Sequence, residues 1–203
     1  FAPYFYGISR VQIGGGQLGR EDGSLGIWAA EGVKRYGVLR ANYQGVPPYD
    51  GTIAEKWGTS GPPQPFVNEG RQHLIREFAR LRSYEELRDA LANGYPITIA
   101  SMRGFNMQLK FDRQTNKHWF QGHDRWPHQM SILAVDDDPQ RPGVFRLNSW
   151  GPHAHGEQAD GPPGGGWQEA EDIDHELRDP NTECIAYSQF DGFPAQMPNY
   201  YFI

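Results

Sequence analysis

Residues 126–151 restrict the possible fold of this chain more than any other part of the sequence. Two short apolar runs are separated by residues 136–143, which are dense in Asp, Pro and Gly, and this pattern predicts a β-hairpin. If Val135 and Val144 close the hairpin, antiparallel pairing places His128 opposite about Trp150, with Asn148 a short diagonal away. The sequence therefore predicts that an imidazole and a carboxamide meet at one end of a sheet.

The predicted contact between His128 and Asn148 has a chemical use. A histidine that acts as a general base needs its second ring nitrogen held by an acceptor, and an asparagine carbonyl oxygen is such an acceptor. Trp150 is expected to pack on the pair, and Ser149 lies beside it in the sequence. The alternative is that both side chains only satisfy local hydrogen bonds at a strand end. The matching segments described below favour a pair of the catalytic type.

The first part of the chain is predicted to contain helices and loops. A helix is expected from about Asp22 to Tyr36, with Asp22 or Ser24 as its cap and Gly37 as its left-handed stop. Residues 1–13 predict a buried short helix or strand, and residues 41–70, rich in Pro and Gly, predict a long loop without regular structure.

The second part of the chain is predicted to be mostly antiparallel β, which gives an α+β fold. Ser83 and Glu86 match a capping box before a helix at residues 84–93. A Gly- and Pro-rich loop is expected from Gly151 to Gly166. The other expected elements are a strand or helix at 73–82, strands at 95–102, 107–111, 117–121 and 183–190, and a helix at 171–177.

Charge and composition exclude some classes of partner. Lys plus Arg is 19 and Asp plus Glu is 25, so the net charge is 19 minus 25, or -6, which argues against nucleic acid or an anionic membrane as the main partner. No apolar run approaches the roughly 20 residues of a membrane-spanning helix, and the first segment lacks the layout of a secretory signal. The only cysteine, Cys184, excludes an internal disulfide framework and leaves the compartment undetermined.

Several segments resemble papain-like cysteine peptidases of bacterial or phage type, in the order that family has them. They are His128 with its strand, the Asn148-Ser149-Trp150-Gly151 block, and residues 22–43, 84–100 and 164–170. The resemblance implies a two-lobed papain-like fold, with a helix- and loop-rich lobe at residues 1–80 and an antiparallel β-barrel-like lobe at residues 81–203.

The same resemblance implies roles for individual residues. His128 would be the base, Asn148 would orient it, and Trp150 with Ser149 would support the pair. Gly23 and Ser24 would line the substrate cleft and bind extended substrate through the backbone. No cofactor is implied.

The chain departs from the family at its beginning. Papain-like peptidases carry a Gln and the nucleophilic Cys at the head of a central helix that precedes the Gly-Gly region, and here that region begins near Gly14. The nucleophile is therefore expected upstream of Phe1, on an N-terminal segment or a partner chain. The first hypothesis is a thiol hydrolase, a peptidase acting on peptide or protein substrates, whose Cys lies outside this chain. The alternative is a non-catalytic papain-fold component of a larger assembly, since fold does not guarantee activity.

Other candidate sites have simpler interpretations. Ser24 is favoured as a helix cap over a replacement nucleophile, and Cys184 as a buried apolar side chain over a reactive thiol. The acidic residues 136–138 fit a solvated hairpin end better than a calcium loop, and residues 14–16 lack the Lys-Ser/Thr of a phosphate loop. The histidines share neither a helical nor a strand face, so no metal site is predicted; they include His118, His123, His128, His153 and His155.

Overall fold

A computed structural model describes residues 1–156 and 160–191. The helices are α1 (Ala2–Gly7), a π-helix that continues it (Ile8–Ile13), α2 (Gly26–Tyr36), α3 (Gly51–Ser60), α4 (Gln64–Gly70), α5 (Tyr84–Ala92) and α6 (Ala170–Leu177). The strands are β1 (Ile75–Leu81), β2 (Ile97–Phe105), β3 (Lys110–Asp112), β4 (Lys117–Trp119), β5 (Gly122–Asp136), β6 (Gly143–Leu147), β7 (Gly165–Glu169) and β8 (Glu183–Phe190). Residues 157–159 of the predicted Gly- and Pro-rich loop lie outside the described part.

The chain divides into two compact units. One comprises residues 1–78 together with residues 188–191 of the described part, and the other comprises residues 79–187. In the first unit, helices α1 and α3 and the π-helix pack around a small aromatic and aliphatic core of Tyr4, Ile8, Leu39, Trp57 and Val67. The mixed α+β character predicted from the sequence is confirmed.

The strands of the second unit belong to a single sheet. Its strand order is β1-β8-β2-β5-β6-β7-β4-β3, and within the described residues β4 pairs with β7 in parallel, whereas β2 with β5, β2 with β8, β3 with β4, β5 with β6 and β6 with β7 pair in antiparallel fashion. The sheet is open, so the barrel-like closure expected from the resemblance is not observed in the described residues. Strands β3 and β4 have only three residues each, which leaves little backbone to extend the sheet further around.

The core of the second unit lies between the sheet and two helices. Helices α5 and α6 contact each other and the central strands, and their buried Leu87 and Ile173 pack with Ile99 and Ile132. Helix α5 begins at the predicted cap, because the Ser83 hydroxyl oxygen accepts a hydrogen bond from the Glu86 backbone N–H. The Glu86 carboxylate accepts a hydrogen bond from the backbone N–H of Arg82, one position before the residue that a capping box would use. The two helices thus pack against β2, β5 and β6, and His128 lies in β5 while Asn148 directly follows β6.

The predicted loop at residues 41–70 is wrong, because helices α3 and α4 occupy most of it. Asp50 starts α3 by accepting a hydrogen bond from the Thr52 backbone N–H, and Gly61 ends it with a φ of +79°. In α4 the proline lies in the first turn, where a missing N–H costs no intrahelical hydrogen bond. Gly and Pro residues therefore lie at the ends of two short helices here and do not prevent the helices from forming.

The predicted cap of α2 is also wrong, although the helix itself and its stop are confirmed. The helix begins at Gly26 with Leu25 as N-cap and without a side-chain cap, because the Ser24 hydroxyl lies 2.6 Å from the Ser9 hydroxyl instead. Gly37 has a φ of +72°, and a Cβ atom there would lie 1.9 Å from the carbonyl oxygen of Gly70. Only glycine fits at that end of the helix.

The helices of the described part give no candidate for a membrane span, since none is both long enough and apolar enough.

Candidate active site

The hairpin of β5 and β6 positions the candidate site, with one irregularity that the sequence did not reveal. Val135 pairs with Val144 as predicted, but further from the turn Ser131 pairs with Leu147, so Leu133 is an extra residue in β5. This β-bulge shifts the register by one position. Continuing the pairing of Ser131 places His128 opposite Trp150, and on its other side His128 pairs with Ser101 of β2.

His128 and Asn148 are in direct contact. The Nε2 atom of His128 lies 2.8 Å from the Oδ1 atom of Asn148, and the same oxygen accepts a hydrogen bond of 2.7 Å from the Ser149 backbone N–H. An amide oxygen only accepts, so Nε2 of His128 carries the proton and donates it. In the neutral imidazole the lone pair is then on Nδ1, which is the atom available to take a proton.

Aromatic rings surround the imidazole of His128. Its centroid lies 4.8 Å from the ring of Trp150 and 5.1 Å from the ring of Trp126, and the two indoles stack 5.0 Å apart at 20°. Asn148 is buried, whereas Trp150 remains 47% exposed. Trp150 thus packs on the imidazole of His128 and remains partly open to solvent. The side chain of Ser149 is exposed, and its backbone N–H donates to Asn148.

A fourth polar side chain joins this group, and the sequence did not predict it. His155 is 5% exposed, and its Nε2 atom lies 3.0 Å from Nδ2 of Asn148. Its Nδ1 atom lies 2.9 Å from the backbone carbonyl oxygen of Met107. The sequence offers His155 only as a possible metal ligand, and no local pattern links it to Met107, which lies 48 positions away in the chain.

Burial lowers the pKa of His128 below its ordinary value. The hydrogen bond to Asn148 opposes that shift because it favours the charged ring, whereas the positive charge of Arg146 lowers the pKa further. The imidazole is therefore held toward its neutral, basic form in this chain.

A buried ion pair lies in the core behind the site. The Arg146 guanidinium donates to the Glu176 carboxylate at 2.8 Å and to the Gln168 side-chain carbonyl at 2.7 Å, and Ser101 donates to the same carboxylate. Arg146 is 1% exposed, and its guanidinium lies over the ring of Phe105. Arg146 precedes Asn148 by two positions, so this network fixes the end of β6 from which Asn148 emerges.

The two predicted substrate-binding residues belong to the other unit. The Gly23 carbonyl oxygen accepts a hydrogen bond of 2.6 Å from Arg10, and its N–H donates to the hydroxyl of Tyr6 at 3.2 Å. Ser24 contacts Ser9. Both backbone groups of Gly23 thus already have partners within their own unit, and substrate binding by Gly23 and Ser24 stays a prediction.

The alternative nucleophile and metal candidates have structural explanations. Cys184 lies in β8 with no exposed surface, and burial raises the pKa of its thiol to about 12. His118 is held by Asp160 at 2.8 Å, and His123 contacts its neighbour Asp124. Across the described ranges, no three His, Cys, Asp or Glu side chains are grouped to hold a metal ion.

Comparisons with known proteins show the fold. No protein-family model and no curated protein sequence matches the chain. Among solved structures, it is similar to xylellain, a cysteine protease from Xylella fastidiosa, with a TM-score of 0.63, 15% sequence identity, and coverage of 92% of this chain and 69% of that one. It is also similar to digestive procathepsin L 3 of the Tenebrio molitor larval midgut, with a TM-score of 0.50, 14% identity, and coverage of 92% of this chain and 64% of that one. The chain therefore has a papain-like fold.

Proposed function

We propose that this chain carries the base and the orienting residue of a papain-like thiol hydrolase of bacterial or phage type, a peptidase acting on peptide or protein substrates. The observation that carries the proposal is the hydrogen bond from His128 Nε2 to Asn148 Oδ1 at 2.8 Å, which leaves Nδ1 as the basic atom. The two-lobed arrangement at residues 1–80 and 81–203 is part of the same proposal.

The nucleophile in this proposal is a cysteine outside these 203 residues, on an N-terminal segment or a partner chain. Its thiol proton would pass to Nδ1 of His128, and the resulting thiolate would attack the substrate carbonyl carbon while the C=O π electrons move to the oxygen. When this tetrahedral intermediate collapses to a thioester, the C–N bond would break and Nδ1 would return the proton to the leaving amine. Water would then hydrolyse the thioester and release the cysteine. The imidazolium would keep its Nε2–H bond to Asn148, so the pair would be stabilised in both protonation states. Gly23 and Ser24 would bind the extended substrate.

A labelling experiment on the full-length gene product tests this proposal. If a cysteine activated by His128 is present, iodoacetamide should label it below neutral pH, because a paired thiolate forms well below the ordinary thiol pKa. His128→Phe should abolish that labelling and any peptide hydrolysis, whereas the exposed His153→Phe should change neither. A full-length product without such a thiol, or one whose labelling is indifferent to His128→Phe, would contradict the proposal.

The second candidate function is a non-catalytic component of a larger assembly. It is favoured by one observation: the only thiol of these residues, Cys184, is fully buried and has a pKa raised to about 12. This function predicts that the full-length product binds a partner protein and that His128→Phe leaves that binding unchanged.

A further inference from the structure

The ring of His155 connects the side chain of Asn148 to the backbone of Met107. His155 lies in the loop after Gly151, and its ring is enclosed by the edge contact with Phe120 at 4.9 Å and by Trp150 at 6.4 Å. Both of its ring nitrogens have hydrogen-bond partners, Nδ1 with the carbonyl of Met107 and Nε2 with the side-chain amide of Asn148.

The chemistry of these partners fixes the direction of each bond. A backbone carbonyl only accepts, so Nδ1 of His155 carries the proton and donates it to Met107. Nε2 then holds a lone pair, and the amide nitrogen of Asn148 donates to it. The two contacts together require the neutral ring of His155 with its proton on Nδ1.

This arrangement has a consequence for the amide of Asn148, whose oxygen and nitrogen ends have nearly the same shape. Because His155 accepts from the nitrogen end, the oxygen end faces His128 and the Ser149 backbone N–H. Turning the amide over would set its NH₂ group against the N–H of Ser149 and its oxygen against the lone pair of His155. In the flipped amide, a donor would therefore face a donor at Ser149 and an acceptor would face an acceptor at His155.

We infer that His155 is a positioning residue, which fixes the amide orientation of Asn148 and thereby presents an acceptor to Nε2 of His128. The direction of hydrogen bonding runs from Asn148 to His155 to Met107 on one side and from His128 to Asn148 on the other. The consequence for catalysis rests on the proposed function, but the hydrogen-bond arrangement does not.

Nitrogen NMR of the 203-residue chain tests the inference without any nucleophile. Long-range proton–nitrogen correlations should show His155 as the Nδ1–H tautomer. In His155→Phe, the side-chain amide protons of Asn148 should exchange with water at least about tenfold faster, as expected for the loss of one hydrogen bond. His155→Gln should keep the exchange slow, because its side-chain carbonyl reaches the position of Nε2.

His153→Phe is the matched control, since His153 is exposed and lies two positions earlier in the same loop, and it should leave Asn148 unchanged. An Nε2–H tautomer or a charged ring at His155, or unchanged exchange in a folded His155→Phe variant, would overturn the inference. If His155→Phe does not fold, the tautomer of the unsubstituted chain and the His155→Gln variant decide the question. Failure of the proposed function would show instead as a full-length product without an activated thiol.

Discussion

His128 and Asn148 lie 2.8 Å apart at the end of one hairpin, although 20 positions separate them in the chain. The contact depends on neighbouring strands of a packed sheet rather than on mobile loops, and this gives it a defined geometry. Its strength should be visible in the titration of the imidazole, since the bond to Asn148 is the contribution that opposes the lowering of the His128 pKa.

Replacing Asn148 by Leu should lower the pKa of His128 further. The substitution removes the acceptor that favours the charged ring, while burial and the charge of Arg146 remain. The shift can be followed by NMR of the His128 ring protons across the acidic range. Ser149→Ala is the control, because the backbone N–H that bonds Asn148 is retained. A titration midpoint in Asn148→Leu equal to that of the unsubstituted chain would contradict this expectation.

Protonation of His128 should make the protein less stable at acidic pH. Because the folded-state pKa lies below the ordinary value, the unfolded chain binds more protons between those two pH values, and stability rises with pH there. The contribution of His128 is complete above the ordinary pKa of about 6.5 and is lost as the pH falls through the folded-state pKa. Urea unfolding of the unsubstituted chain and of His128→Gln should therefore converge on acidification. Divergence at low pH would argue against a lowered pKa.

Removing one partner of the buried ion pair should be strongly destabilising. Arg146→Met leaves the Glu176 carboxylate buried without its cation and should cost about 3–5 kcal/mol in the free energy of unfolding. The double variant with Glu176→Gln removes the stranded charge and should recover part of that loss. Equilibrium urea unfolding of the two single variants and the double variant gives the coupling energy. Strictly additive losses would show that the two side chains do not interact.

Cys184 should be unreactive in the folded chain. Its thiol has no exposed surface and a pKa of about 12, so iodoacetamide at mildly alkaline pH should label it only after unfolding in guanidinium. Mass spectrometry of native and unfolded samples gives the labelled fraction. Rapid labelling of the native sample would mean that β8 opens locally. A reactive thiol found in the full-length product could then be Cys184 itself rather than another cysteine.

The cap of α5 offers a test in a surface element. Ser83→Ala removes the oxygen that accepts from the Glu86 N–H and should cost about 1 kcal/mol, as is usual for the loss of an N-cap. Ser83→Asp should retain the stability, because a carboxylate accepts the same bond near the positive end of the helix. Thermal unfolding of both variants distinguishes the lost cap from a general effect of substitution.

The parts of the fold that the sequence predicted are those with local signals. The helix cap at Ser83 and the pairing of Val135 with Val144 each depend on residues a few positions apart, and both are confirmed, although the hairpin extends one pair further, to Asp136 and Gly143. The prediction of a loop at residues 41–70 was wrong because it gave the Gly and Pro content more weight than the helix cap that Asp50 supplies to α3. The expected barrel-like closure is not observed, for a different reason. The lengths of the edge strands and the partners they pair with depend on contacts between distant residues, which no local sequence pattern specifies.

The candidate site was predictable only in part for a related reason. Asn148 and His128 belong to one hairpin, so strand pairing alone predicts that they lie close together. The one-residue register shift at Leu133 was not predicted. His155 was missed because its role depends on the carbonyl of Met107, which any residue type could supply. A histidine seven positions after Asn148 in a Gly- and Pro-rich loop was the only signal, and it does not specify a partner.

The bulge at Leu133 divides the hairpin into a part next to the turn and a part next to His128, and the two parts differ in their tolerance of insertions and deletions. Beyond it, the pairs up to Asp136 and Gly143 lead only to the turn, so residues added or removed at 137–142 alter the loop and leave the pairing of Ser131 with Leu147 intact. A residue inserted or deleted between His128 and Ser131 would instead turn the imidazole to the opposite face of the sheet. Among divergent copies of this gene, length differences are expected to accumulate in the acidic turn and to be absent from the strand segment next to His128.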